Sequence, residues 1–536
     1  MGLLSRLPMP LTLTAFAALA MLIPAAHASE QDQHAIARNF FYCAVLVLIL
    51  CVLIGLALGL RPRRNHPREA LLTMVAVFGL LPVVLAIPFA QSLPDTGLFN
   101  AWWEMVSSVT TTGASLYAAD LLPASLHLWR GIVGWLGGFF ILVAATAILA
   151  PLRIGGFELI SAPQDRPDLP RDVAGLTDPV DRLTHLSAPE FHTRFSDPSW
   201  RLLRAGAAVA PAYAGLTLAL WVLLLMLGDP GLVALMRAMG TLSTSGISPV
   251  GGPLGAASGL PGEAAVMLFL LPALSRRFWP GGAELQVTQR LRDDPELRMA
   301  TGLVALVVLV LFARHFIWII EAPDAVTGGL SDTLSVIWAA AFNALSYLTT
   351  TGWGALEWHG VRIWSGLEAP GLMLAGLAMM GGGVATTAGG VKLMRVYALA
   401  RHGEREMNRI IHPSAVSGGG PMARRLRREG AFLAFIFFML FALSLAGTML
   451  LISLQRVGIE SATVLSVAAL TNTGQLASAI ALTPVFETSA GIASAPWEGW
   501  SGLPRASKTV LALAMILGRV ETLAILALMS PDFWRR

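Results

Sequence analysis

Long uncharged apolar stretches recur along the chain and alternate with shorter ones. Phe40 to Leu60, Leu71 to Ala90, Gly131 to Leu152, Ala205 to Gly228, Met299 to Ile320, Ala369 to Val391, Ala431 to Leu454 and Thr509 to Met529 match the length needed to cross a bilayer as a helix, which is about 20 residues. Between them lie Leu98 to Val109, Leu232 to Leu242, Leu334 to Leu348 and Val464 to Leu470. These are too short to span and read as re-entrant half-helices. One return segment is weak: only Ala264 to Ser275 is uncharged, between Glu263 and Arg276-Arg277, and Pro272 interrupts it. Leu11 to Ala26, preceded by Arg6 and followed by His27-Ala28, reads either as a first short helix, favoured here, or as a secretory signal with an Ala-x-Ala cleavage site. The pattern predicts an all-α polytopic membrane protein with ten spans and four re-entrant segments. Two leading spans occupy 1–68, and four units of span, half-helix and span follow at 69–200, 201–298, 299–428 and 429–536.

Each half-helix ends in a similar string: Val109-Thr110-Thr111-Thr112-Gly113-Ala114, Leu242-Ser243-Thr244-Ser245-Gly246-Ile247, Leu348-Thr349-Thr350-Thr351-Gly352-Trp353 and Leu470-Thr471-Asn472-Thr473-Gly474-Gln475. One Thr-Gly turn carries no information, because these are ordinary turn residues. Four in the same context make a fourfold repeat. A bare cation needs a ring of oxygens in place of its hydration shell. Glycine allows the backbone geometry and the close approach of neighbouring chains that a carbonyl ring requires. Inward-pointing half-helix C-termini would add partial negative charge. The candidate ion-binding residues are Thr111, Thr112, Gly113, Thr244, Ser245, Gly246, Thr350, Thr351, Gly352, Asn472, Thr473 and Gly474. The ion itself is expected at Thr112, Gly113, Ser245, Gly246, Thr351, Gly352, Thr473 and Gly474.

Composition agrees with the span count. Hydrophobic residues make up 55% and charged residues 13%, with mean hydropathy +0.66, whereas soluble domains carry charge at about 25% of positions. The basic residues, behind a pI of about 9.4, are not gathered into a polar domain with interleaved aromatics, so no nucleic-acid partner is expected. Most of them fall in the loops that the span order puts on one side, as the positive-inside rule requires of cytoplasmic loops. Arg424-Arg425-Leu426-Arg427-Arg428 is the densest cluster. It reads as topology and lipid headgroup contact, or as a docking surface for a cytosolic partner. Cys43 and Cys51 lie about 12 Å apart along one helix and cannot pair.

Two irregularities fall inside the apolar pattern. Gly381-Gly382-Gly383-Val384-Ala385-Thr386-Thr387-Ala388-Gly389-Gly390 weakens any helix through it, and irregular backbone at membrane depth belongs where it is buried or lines a cavity. A movable constriction built on Gly381, Gly382, Gly383, Thr386, Thr387, Gly389 and Gly390 is the functional reading, and a small-residue packing face is the alternative. A phosphate-binding loop fails, because Lys392 follows Val391 and precedes Leu393. Arg519, inside the last apolar stretch with Glu521 two positions on, faces the pore and the constriction or else snorkels to the interface. An ion-coupled secondary transporter would need an acidic residue at mid-membrane, for which Glu521 is the clear candidate. An intramembrane enzyme would need a clustered acid, base or metal constellation, and the histidines and acidic residues lie mostly in loops.

With these residues in view, the chain resembles the Trk/Ktr/HKT superfamily of potassium transporters, and within it the TrkH type. The likeness rests on the first string, on Trp135-Leu136-Gly137-Gly138 with Ala147-Ile148-Leu149-Ala150-Pro151, on Gly389-Gly390-Val391-Lys392, on His412-Pro413, and on Leu517-Gly518-Arg519-Val520-Glu521 with Ser530-Pro531-Asp532-Phe533-Trp534-Arg535. It implies potassium uptake, with no catalysis, by a homodimer in a bacterial inner membrane. Each subunit would enclose one pore, with Gly113, Gly246, Gly352 and Gly474 in the selectivity filter, and Gly113 favours potassium over sodium. The resemblance makes the glycine-rich stretch an intramembrane gate with Arg519 at the pore. It also implies a cytosolic TrkA- or KtrA-like regulatory ring that holds the nucleotide, so that none is bound by this chain. The chain departs from the family pattern at Ala385 and Ala388, where glycine is usual, at Leu271 and Pro272, and at Ser245 and Gln475.

Overall fold

The computed structural model describes residues 8–58, 67–150, 156, 198–280, 293–321, 330–365, 367, 370–412, 428–480 and 499–520. Among them the chain is helical with no β-strand. Among the described residues, seven helices are long and apolar enough to cross a membrane: Met9–Glu30, His34–Leu58, Ala70–Ser92, Ala124–Leu149, Arg201–Met226, Pro295–Ile317 and Ala431–Ser453. At 1.5 Å per residue the shortest is about 33 Å long, which exceeds a hydrocarbon core of roughly 30 Å.

In the second and third units the return segments expected as spans are interrupted. In the second unit a helix covers only Gly259–Phe269. One 3-10 turn follows at Leu271–Ala273 and another at Arg276–Phe278, since Pro272 cannot continue the α-helical hydrogen bonds. In the third unit the helix Gly371–Met380 ends at Gly381, whose φ of 73° leaves the helical region, and a new helix begins only at Leu393–Ile411. The fourth return helix is described over Arg505–Val520. Glu521, the Arg424–Arg427 part of the basic cluster, Pro413 and the terminal Ser530–Arg535 motif lie outside the described residues.

Four shorter helices lie between the long ones: Gly97–Val109, Gly231–Leu242, Leu330–Leu348 and Ile459–Leu470. Three begin within a few residues of the apolar segments that announce them, and the fourth begins five residues earlier. Each packs on its own outward span. Each also packs on two return helices, its own and that of the preceding unit, with Arg505–Val520 of the last unit packing on Gly97–Val109 of the first. The four units therefore close into a cycle.

Within two of the units, close backbone approach seats the short helix on its own return helix at equivalent positions. A Cβ on Gly137 would lie 2.0 Å from the Val109 carbonyl oxygen, and one on Gly518 would lie 2.2 Å from that of Leu470. Both glycines sit on return helices, and both face the last turn of a short helix.

The N-terminal helices Met9–Ala20 and Leu22–Glu30 pack against His34–Leu58, and Leu22–Glu30 also reaches Ala124–Ala144, where His27 Nδ1 meets Ser125 Oγ at 3.0 Å. Cys43 and Cys51 are buried and free.

Candidate functional site

The four short helices end at Thr110, Ser243, Thr349 and Thr471, and the chain then repeats one conformation four times. The first hydroxyl of each string donates back to the helix: Thr110 Oγ1 to Val106 O, Ser243 Oγ to Met239 O, Thr349 Oγ1 to Leu345 O and Thr471 Oγ1 to Val467 O, at 2.7 to 3.0 Å. The next residue is left-handed in every copy, with φ of 55° at Thr111, 54° at Thr244, 58° at Thr350 and 57° at Asn472. Left-handed backbone costs a residue with a Cβ roughly 1–2 kcal/mol. Four equivalent costs at equivalent places mark a conformation held by its surroundings, as is common at functional sites.

The third residue turns its hydroxyl back toward the first. Thr110 and Thr112, Ser243 and Ser245, Thr349 and Thr351, and Thr471 and Thr473 pair at 2.8, 2.9, 3.1 and 3.2 Å. Most of the hydroxyls are committed to the helix end, and Thr112 Oγ1 also accepts from Asn472 Nδ2 of the fourth string at 3.1 Å.

The glycines then bring the strings into contact in order. A Cβ on Gly113 would sit 1.9 Å from Ser245 O, and one on Gly246 would sit 2.2 Å from Thr351 O. On Gly352 it would sit 2.8 Å from Gln475 Cβ, and on Gly474 2.5 Å from Ala114 N and 2.7 Å from Thr112 O. First meets second, second meets third, third meets fourth and fourth meets first, which is a closed ring. Of the residues proposed from the sequence, Thr112, Gly113, Ser245, Gly246, Thr351, Gly352 and Gly474 make these contacts, and the helix C-termini converge on the ring with their partial negative charge.

The fourth string breaks the symmetry. In the first three units the glycine N–H donates to its own helix, at Ser107, Gly240 and Ser346. Gly474 N instead donates to Thr112 O at 2.7 Å. The neighbouring side chain reaches further: Gln475 Nε2 donates to Gly246 O at 2.5 Å and to Gly113 O at 3.3 Å.

Beneath the ring lies the glycine-rich stretch. Gly389 N donates to Thr350 Oγ1 at 2.7 Å, and a Cβ on Gly389 would lie 2.1 Å from Thr471 O. Arg519 is buried and bridges ring and loop, donating through Nε to Thr110 O and through Nη1 to Thr387 O at 2.7 Å. From the other side Glu296 Oε1 accepts from Val384 N at 2.8 Å, and Gly383 N donates to Ala273 O at 3.0 Å. The two interrupted return segments thus lean on each other. Gly381 and Gly390 are left-handed at φ 73° and 75°, and a Cβ on Gly382 would lie 2.4 Å from that of Ala388. Thr386 donates back to Gly383 O at 2.8 Å. Ala385, which stands where the resemblance expects glycine, takes φ 56°. A cavity of about 30 Å³ remains here, lined by Thr386, Gly389, Gly390, Lys392 and Arg519 together with apolar side chains.

Sequence reading missed an outer layer. Glu104, Arg237, Asn343 and Leu465 each stand nine residues before a ring glycine, and all are buried. Glu104 accepts from Leu116 N at 2.5 Å and pairs with Arg130 at 2.8 Å, while Asn343 accepts from the equivalent Ala355 N at 3.2 Å. Arg237 pairs with Asp229 at 2.8 Å. Glu263 holds Leu356 N at 2.6 Å and Trp338 Nε1 at 2.9 Å. The signal available was the repeat register itself, read back from the glycines.

The fold and the ring define a multi-pass helical membrane protein organised around four equivalent Thr/Ser-Gly strings. Residues 290–536 match the TrkH family, described as cation transport protein. The chain is 28% identical to the Trk system potassium uptake protein TrkH of Escherichia coli K12, over 87% of its own length and 86% of that protein's. It is 27% identical to TrkI of Halomonas elongata, over 86% and 82%. The crystal structure of the potassium transporter TrkH from Vibrio parahaemolyticus superposes with a TM-score of 0.73 at 23% identity, over the full length of both chains. The chain is thus similar to TrkH-type transport proteins over most of its length, and it shares their fold.

Proposed function

We propose that the chain takes up potassium across a bacterial inner membrane, the ion passing through the ring of peptide oxygens as through a selectivity filter. The observation that carries this reading is the cyclic contact of Gly113, Gly246, Gly352 and Gly474 with the next string's backbone or side chain, where a methyl group finds no room. A monovalent cation at such a ring exchanges water oxygens for carbonyl oxygens, and the four helix C-termini lower its energy further. No proton is transferred and no bond is made.

The glycine-rich segment Gly381–Gly390 is read as the gate, with Arg519 as its latch, because it lies directly under the ring and is tied to it by hydrogen bonds as well as by apolar packing. The relatives are named as Trk system proteins, which supports a regulatory subunit on the cytosolic face. In this reading the protein is a homodimer controlled by a TrkA-like nucleotide-binding ring.

The test is rubidium uptake by the purified protein in liposomes with sodium as competitor. Wild type should take up rubidium and be inhibited weakly by sodium. Gly113→Ser places its Cβ against Ser245 O, so it should lower rubidium-over-sodium discrimination at unchanged protein levels. Discrimination that does not move would remove the filter assignment.

A further inference from the structure

The ring is asymmetric, and the fourth string sends donors into it that its counterparts do not. Three ring oxygens are occupied by donors from that string: Thr112 O by Gly474 N, Gly246 O by Gln475 Nε2, and Gly113 O by the same nitrogen. Gln475 also stands beside three glycines at once. A Cβ on Gly113 would lie 3.1 Å from Gln475 Nε2, one on Gly246 would lie 3.2 Å from it, and one on Gly352 would lie 2.8 Å from Gln475 Cβ. A side chain that reaches three of four units lies across the mouth of the ring rather than along its wall. The equivalent positions in the other units are Ala114, Ile247 and Trp353, which have no amide. Ala114 and Ile247 are buried, and the Trp353 indole is spent on Thr241 Oγ1 at 3.0 Å.

We propose that the Gln475 amide is a tethered competitor for the transported cation. An NH₂ group carries partial positive charge and two donors, so it satisfies carbonyl oxygens that would otherwise face a cation unaided. A cation takes those oxygens only when the amide lets go. Release is feasible because Gln475 is only half-buried, while its backbone stays anchored by Tyr347, whose hydroxyl donates to Gln475 O at 3.4 Å. The side chain can swing outward without moving the string. The amide would therefore set the external concentration at which the ring fills, and leave the path itself unchanged. This rests on the filter reading of the ring.

The competitor role differs from a structural one in what it does to concentration dependence. If the amide were a staple, its removal would loosen the ring and lower both maximal uptake and discrimination. If it competes, its removal lowers the half-saturating concentration and spares the maximal rate. Two hydrogen bonds of ordinary net worth amount to a shift of about tenfold.

The experiment is rubidium uptake against external rubidium concentration in liposomes holding the full chain as wild type, Gln475→Gly, Gln475→Met and Gly113→Ser. Methionine keeps the length and bulk but has no N–H. The expected result is a half-saturating concentration about tenfold lower in both Gln475 variants, with maximal rate and sodium discrimination close to wild type. An unmoved half-saturation in Gln475→Gly, or a Gln475→Met that behaves as wild type, overturns the proposal while the Gly113→Ser loss of discrimination keeps the ring. A Gly113→Ser protein of unchanged discrimination overturns the filter reading itself. For any variant without flux, rubidium-dependent protection against thermal unfolding reads the same affinity, and protection at wild-type concentrations in Gln475→Gly counts against the amide.

Discussion

In the first and third units the position nine residues before the ring glycine meets one structural demand with different chemistry. The strand that leaves the ring has an N–H to satisfy inside the protein, and a buried donor without a partner costs about 1–3 kcal/mol. Glu104 and Asn343 supply the acceptor directly, at Leu116 N and Ala355 N. Glu104 brings a charge with it, which Arg130 neutralises at 2.8 Å with both side chains almost fully buried. Breaking a buried pair leaves a stranded charge, at a cost of about 3–5 kcal/mol. Glu104→Ala should therefore lower the thermal unfolding temperature of the purified protein sharply. Glu104→Met combined with Arg130→Met should recover most of the loss, and a double variant as unstable as the single one would show that the charge is not the issue. No motif announces this layer, because glutamate, arginine, asparagine and leucine share no property that a motif could display, and only the register counted back from the glycines points to it. The Thr-Gly strings were legible for the opposite reason: one conformation, with a helix-end hydroxyl and a tight glycine contact, admits few residue types.

At the scale of elements, the glycine-rich segment was recognisable from composition, since no continuous helix survives Gly381-Gly382-Gly383. What it leans on was not. Its clamps come from three separate elements: Glu296 at Val384 N, Thr350 at Gly389 N and Arg519 at Thr387 O. Glu296 stands 88 positions away and Arg519 stands 132 away, so no local pattern could pair them with the loop. The failed return span of the second unit has the same explanation. Pro272 foretold an interruption, but its use, an open Ala273 carbonyl for Gly383 N, appears only once the units are packed. Because polar clamps hold the segment, removing one should free it without unfolding the protein. Thr350→Val keeps the side-chain shape and loses the acceptor for Gly389 N. We expect it, and a deletion within Gly381–Gly390, to raise basal rubidium flux through protein lacking any regulatory subunit. Flux that stays at the wild-type level in both would make the segment a packing element instead of a gate.

For the whole molecule, the decisive fact is that four units arranged in a line along the sequence close into a circle in space. Internal repetition was legible, and closure was not, because it depends on contacts between the first and last units. One of these is the hydrogen bond from Trp103 Nε1 to Lys508 O at 3.0 Å, across 405 positions. Trp103 is fully buried, packs on Trp500 with ring centroids 5.7 Å apart, and lies well before the glycine in its own unit. A ring whose geometry is set by closure must feel a cut at this seam even though no ring atom changes. Trp103→Ala removes a large buried side chain, worth about 3–5 kcal/mol, and we expect it to lower rubidium-over-sodium discrimination in liposomes together with thermal stability. Trp103→Phe keeps most of the packing and loses only the N–H, at a cost of about 0.5–1.5 kcal/mol, so its discrimination should stay near wild type. If Trp103→Ala loses stability but discriminates as well as wild type, each string is shaped by its own unit, and closure of the cycle serves assembly rather than selectivity.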